Sequence, residues 1–163
     1  MLQPVAIDGV AFARAAGVLQ GQLGSESLPR LAQSGCSAAD LQYVLGGEIN
    51  ERGKPGLSLS VTGNVRLQCQ RCLSEIDFPL RLDAQLELAA GEAEILAAED
   101  DVDRVVAGRD MSVASLVEEE VILALPMAPK HEQCRAAAEA DTGARRSAFQ
   151  VLDALRRRSS SED

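Results

Sequence analysis

The chain reads as an α+β fold: an antiparallel β-meander with flanking helices and a C-terminal helix, and a Cys-x-x-Cys at a strand turn. Three observations predict it. Apolar residues recur with a period of two through most of 41–88, and at 113–125 the period becomes that of a helix. Between the second and third alternating runs, Cys69-Gln70-Arg71-Cys72 sits in a link short enough to be a turn. With 163 residues the chain can bury one core. Aromatics supply only 2% of it and Trp none, so that core must be Leu, Val, Ile and Ala. A single domain is expected over 1–158, followed by a frayed tail at 159–163.

Residues 1–35 are weakly patterned, with a short helix expected at 11–16, a short strand at 18–23 and a helical turn or two at 27–33. Pro29 suits a first helical turn, where its missing N–H costs nothing, and Gly35 closes the segment. Leu41, Tyr43 and Leu45 then alternate with polar or small residues, the run continuing to Ile49, before turn chemistry at 50–56. Leu57, Leu59, Val61, Val65 and Leu67 make a second half-buried strand, with Gly63 as a bulge site. Ile76, Phe78, Leu80, Leu82, Ala84, Leu86 and Leu88 make a third, and Pro79, which cannot donate to a ladder, suggests an edge there. The segment 89–103 is expected to be an acidic, solvated loop, and 104–107 a short strand. Ser112 has the chemistry of an N-cap for a helix ended by Pro126. At 100° per residue Val113, Val117, Val121 and Ala124 share a face with Glu120, while Glu118 and Glu119 point away. Residues 126–146 look irregular. A last helix at 148–157 places Phe149, Leu152 and Leu155 on one side, its terminal arginines complementing the helix dipole.

No run approaches the roughly 20 apolar residues that a bilayer requires, and no basic stretch leading into an apolar core marks a secretory signal. A cytoplasmic protein with reduced thiols is expected. The net charge of −9 speaks against a surface that binds nucleic acid everywhere. It is unevenly spread, however: six acids and no base lie between Glu92 and Asp103, whereas between Gly143 and Arg158 lie Arg145, Arg146, Arg156, Arg157 and Arg158 against a single acid, Asp153.

Cys69-x-x-Cys72 and His131-x-x-Cys134 form two tight pairs, the spacing of a Cys3His zinc tetrahedron. Two small, partly buried thiols in a turn would have the same spacing, and Cys36 reads as packing. A thioredoxin-like redox pair would open a helix; a strand pattern follows here instead. Glu118, Glu119 and Glu120 fan around a helix rather than converging on a metal. No nucleophile elbow, phosphate loop or dinucleotide fingerprint is present, so no catalytic residue is assigned. Arg66, Arg71 and Lys130 near the cysteines, with Arg156, Arg157 and Arg158, are candidates for contact with RNA or a partner. Interleaved aromatics for base stacking are lacking, and ordinary surface charge accounts equally well for these residues.

The stretch Leu67-Gln68-Cys69-Gln70-Arg71-Cys72-Leu73 after a strand resembles the hallmark of the YceD family of large ribosomal RNA subunit accumulation proteins. So does the run from Leu116 through Glu118-Glu119-Glu120 to Pro126, with Pro129-Lys130-His131 close behind, and the final Ala148-Phe149-Gln150-Val151-Leu152. These motifs come in family order from about Leu57 onward. The resemblance implies a non-enzymatic bacterial factor for synthesis, processing or stability of large-subunit (23S) ribosomal RNA. Its functional positions here would be Cys69, Arg71, Cys72, Glu119, Glu120 and Pro126. Expected partners are that RNA or its precursor, or a large-subunit ribosomal protein, with no membrane and no small-molecule substrate. The alternative is an acidic adaptor for a basic ribosomal protein that never touches RNA. Where many members carry a cysteine-rich cluster after Pro126, this chain keeps His131 and Cys134.

Overall fold

The computed structural model describes residues 5–98 and 100–134. The expected C-terminal helix, the tail and Arg156, Arg157 and Arg158 lie outside them. In chain order the elements are β1 (Ala6–Ile7), α1 (Gly9–Arg14), β2 (Val18–Gly24), a 3₁₀ turn (Ser25–Ser27), α2 (Pro29–Gln33) and β3 (Cys36–Ile49). Then come β4 (Pro55–Gln68), β5 (Glu75–Ala89), α3 (Glu92–Leu96), β6 (Arg104–Val106), β7 (Met111–Ser112) and α4 (Val113–Ala124).

The expected α+β class holds. A five-stranded sheet runs in the order β2-β3-β4-β5-β6, antiparallel except for the parallel β5–β6 pair, and β1 and β7 form a separate two-stranded pair. Strict alternation makes the sheet two-faced. Leu41, Tyr43 and Leu45 on β3, Leu57, Leu59, Val61, Val65 and Leu67 on β4, and Leu80 and Leu86 on β5 are buried. Helices α1, α2 and α4 contact this sheet, with Ala13, Leu31, Val113, Val117 and Val121 completing the core. Burying a Leu or Val side chain contributes about 1.5–3 kcal/mol, so aliphatic residues alone can supply the driving force.

Several expectations need correction. Gly63 is not a bulge: the register runs through Leu41, Gly63 and Leu80 without a shift, and the irregularity lies between Cys36 and Ala38. Gly63 is required because a Cβ there would collide with the Asp40 carbonyl oxygen. Pro79, by contrast, does lie where β5 is an edge, as expected. β5 pairs with β4 opposite it, and β6 joins the other side only at 87–89, so the missing N–H falls on an open stretch of the strand. The acidic segment is not simply a solvated loop. It contains α3 and is drawn against the sheet by Lys54–Glu94, Arg52–Asp100 and Arg104–Asp100 ion pairs.

Ser112 caps α4 as expected, its hydroxyl accepting the Ser115 N–H at 3.3 Å. The buried arc of α4 is rotated from expectation, however. Glu118 is only 3% exposed, and Glu120 is half-buried on the opposite margin. The cause is α2, a second neighbour of α4. The Glu118 carboxylate accepts the N–H groups of Arg30 (2.6 Å) and Leu31 (3.0 Å), both of which the first turn of α2 leaves without a helical partner. Pro29 has no N–H to satisfy and Leu28 makes no side-chain cap, so a carboxylate from another helix takes the N-cap's task.

Candidate metal centre

The end of β4, the turn before β5 and the segment after α4 meet at one corner of the sheet. Alternation along β4 turns Leu67 and Cys69 to the same side, and both are buried. The chain then turns back: Leu73 donates its N–H to the Cys69 carbonyl at 2.9 Å, and Cys69 donates to the Ser74 carbonyl at 2.8 Å. Leu73 adopts a left-handed φ of 63° to make this turn. Pro126 ends α4 and sends the chain across, where the Pro129 carbonyl accepts the Gln70 N–H at 2.8 Å. That bond brings His131 and Cys134 to the cysteine turn.

Cys69, Cys72, His131 and Cys134 each place a ligand atom within 4.8 Å of all the others. The two pairs inferred from spacing are therefore one cluster, close enough to hold a metal ion. Cys69 Sγ lies 3.8 Å from Cys134 Sγ, and Cys72 Sγ lies 3.4 Å from His131 Nδ1. Two thiolates bound tetrahedrally at about 2.3 Å from a zinc ion stand roughly 3.8 Å apart, so these separations fit. His131 Nε2 is 3.0 Å from the Glu75 carbonyl oxygen, an arrangement in which Nε2–H donates and Nδ1 is left to face the sulfurs. All four cysteines of the chain are free thiols.

The electrostatics favour the same reading. Burial raises the Cys69 thiol, yet backbone groups of Cys72, His131 and Arg71 outweigh it and hold it down at about 5. Ser74, whose Oγ lies 2.9 Å from Cys72 Sγ, draws the Cys72 thiol down. The His131 imidazole is pushed up by Cys69 and Cys72. Burial and then the two neighbouring sulfurs push Cys134 up, because a third thiolate there is repelled. A dication held by Cys69, Cys72, His131 and Cys134 would remove that repulsion and keep the ligand atoms deprotonated. The donor set, its spacing and the carbonyl behind His131 thus fit zinc.

Around the knuckle, Arg71 and Lys130 are exposed, and neither has a carboxylate within ion-pair distance among the described residues. Arg66 is differently placed. It lies on the polar face of β4 with its Nε 3.0 Å from Asp77 and 4.0 Å from Glu75, so its charge is already neutralised. Glu119 is exposed and pairs loosely with Arg30 at 3.4 Å. Glu120 faces Asp103 rather than the knuckle: burial first, then Asp103 and Glu119, push its carboxyl up. Pro126 lines a cavity of about 220 Å³ beside Gln68 and Gln70, together with Ile122, Met127 and Pro129. No spacing in the sequence points to Ser74, the Glu75 carbonyl or Glu118. Their roles depend on the register of β4 against β5 and on the packing of α2.

Among the described residues no helix is long and apolar enough to cross a membrane. No curated protein and no solved structure matches the chain. The family described as large ribosomal RNA subunit accumulation protein YceD matches residues 57–156. That stretch contains β4, the cysteine turn, β5, α4 and all four clustered ligands, and it covers more than half of the sequence. The chain belongs to the YceD family, which is named for accumulation of the large-subunit ribosomal RNA.

Proposed function

We propose that this protein is a non-enzymatic biogenesis factor that sustains the level of 23S ribosomal RNA by contacting the RNA or its precursor through the metal-stiffened knuckle. The carrying observation is the placement of Arg71 and Lys130. Each is adjacent to a ligand of the Cys3His cluster, and each is exposed with no ion-pair partner among the described residues. A bound dication would fix the backbone on which both cations stand, so their charges would meet a phosphate backbone in a preset geometry. Arg156, Arg157 and Arg158, in the same chain, would add sequence-independent attraction. Arg66, neutralised by Asp77, has a minor part.

The test is recovery of the tagged protein from growing cells at moderate salt, with and without ribonuclease. The reading expects large-subunit precursor RNA that is lost on nuclease treatment. With purified components, Arg71→Ala should weaken binding to a precursor fragment and lower the slope of log affinity against log salt by about one unit. If Arg71→Ala and the joint replacement of Arg156, Arg157 and Arg158 by Ala both leave pre-ribosome association intact, the surface is wrongly chosen.

A further inference from the structure

On the margin of α4 away from α2, two adjoining cavities of about 510 and 400 Å³ share Asp103, Glu120 and Leu123. Together they form a groove between β5, residues 101–105 and α4. Its apolar surface comes from Leu82, Ala84, Val105, Leu116 and Leu123, and Leu123 is 74% exposed. Its charges come from Asp83, Asp101, Asp103, Glu119 and Glu120. The lone lining cation, Arg104, is occupied: its guanidinium binds Glu87 at 3.0 Å and Asp100 at 2.6 Å. Glu120 has no ion-pair partner among the described residues, and burial first, then Asp103 and Glu119, disfavour its ionised form.

We propose that this groove is a docking site for a lysine- or arginine-bearing protein segment with an aliphatic side chain beside its cations. Charge and shape select that occupant. A phosphate backbone would be repelled by five carboxylates. A metal ion needs oxygens that converge, and among the described residues the only convergent ligand group is the thiol–imidazole cluster. A cationic segment instead neutralises Asp103 and Glu120 while its aliphatic group covers Leu123 and Leu82. The inference rests on the biogenesis reading for its setting, since basic chain segments are what RNA-bound proteins present before they reach RNA. It assigns the two surfaces different partners: RNA at the knuckle, protein at the groove.

The experiment uses the full chain and a fluorescein-labelled peptide of alternating lysine and leucine pairs, read by anisotropy, with a peptide carrying glycine for every leucine as comparator. Asp103→Asn with Glu120→Gln should weaken binding of the leucine peptide by about tenfold or more, and Leu123→Ser should weaken it several-fold. Asp40→Asn with Glu51→Gln removes the same charge elsewhere on the surface and should change binding less than about twofold. The inference is overturned if both double variants lose binding equally, or if the glycine peptide binds as well as the leucine one. It is also overturned if replacing Arg156, Arg157 and Arg158 by Ala tightens peptide binding about tenfold, for the occupant is then the chain's own basic segment. Leu123→Ser should leave nuclease-sensitive RNA association unchanged, and Arg71→Ala should leave peptide binding unchanged. Failure of one assay is thereby separable from failure of the other.

Discussion

The β4–β5 hairpin is fastened at both ends, and the two fastenings differ in what they leave open. At its turn, three thiols and an imidazole converge, and among the described residues no Lys or Arg side chain hydrogen-bonds to them. At its far end Glu87, only 5% exposed, accepts Asn50 (2.8 Å), Arg52 (2.8 Å) and Arg104 (3.0 Å), and Asp100 takes the remaining faces of the same two arginines. The far end is closed by side chains that the protein itself supplies, donors matched to acceptors. The turn is a donor set close enough to hold a metal ion. Burying charge is tolerable where partners are preplaced and costly where they are not. The first arrangement reads as structure and the second as a metal site.

The sharpest way to break the comparison is at the turn. The purified chain should carry about one zinc ion per molecule, by elemental analysis. Cys69→Ser should abolish it, because three ligands without the most buried sulfur lose both charge and closure. Chelation should lower the melting temperature of the natural chain and leave that of Cys69→Ser unchanged. Raising free zinc should raise the former progressively, as expected for a ligand that binds only the folded state. Full zinc loading of Cys69→Ser, or unchanged melting of the natural chain in chelator, would remove the metal reading.

The far end should respond to acid and not to chelator. Burial raises the Glu87 carboxyl, but Asn50, Arg104 and Arg52 outweigh it and hold it below the usual 4.5. Lys54 and the Ala90 N–H hold Glu94 below 4.5, and Arg104 and Arg52 hold Asp100 well below the usual 3.8. Groups depressed in the folded state stabilise fully above their unfolded values, and that stability is lost as pH falls through their folded values. The contribution of these three carboxylates should therefore be level above about pH 5 and decline steadily below it. Arg104→Met should lower the melting temperature at pH 7 and flatten the decline, leaving zinc content intact. A decline as steep as in the natural chain would mean that other carboxylates carry the acid response.

Glu118 gives a smaller effect with a cleaner control. Glu118→Ala leaves two N–H groups of α2 without an acceptor and should cost about 2 kcal/mol in urea unfolding. Glu118→Gln keeps an acceptor oxygen and should cost less than half of that. Equal losses would show that charge, rather than hydrogen bonding, holds α2.

These residues also mark where the sequence stops being legible. The period of two through β3, β4 and β5 is local, since each strand announces its buried face through its own alternating apolar side chains. The knuckle is readable for the same reason: each pair of ligands lies within four residues. By contrast, Glu87 and Asp100 meet Arg52 from 35 and 48 positions away, and Glu118 meets α2 from 87 and 88. Nothing in a helical wheel places α2 beside α4, so Glu120 takes the buried position on paper and Glu118 takes it in the fold. The acidic segment 92–103 misleads in a similar way. Its charge suggests solvent, yet Arg52, Lys54 and Arg104 are arranged to receive part of it.

Leu73 offers the finest discrimination between the two ends of the hairpin. Its φ of 63° is a conformation that glycine adopts freely and leucine does not, and its side chain is 56% exposed. Leu73→Gly removes little packing. It relieves the backbone in the folded state while loosening the unfolded chain, two effects of opposite sign that are each about 1 kcal/mol or less. If the turn holds its shape only under the restraint of a metal, the relief should be largest in the zinc-loaded protein, because the apo turn can leave the left-handed conformation. Leu73→Gly should then favour zinc-loaded stability more than apo stability, read from urea midpoints with and without chelator. A shift of the same size in both states would mean that the turn is fixed by its own hydrogen bonds, chiefly Leu73 N–H to Cys69 and Gln70 N–H to Pro129. The turn would then be self-closing in the manner of the far end, with the metal as an addition to it.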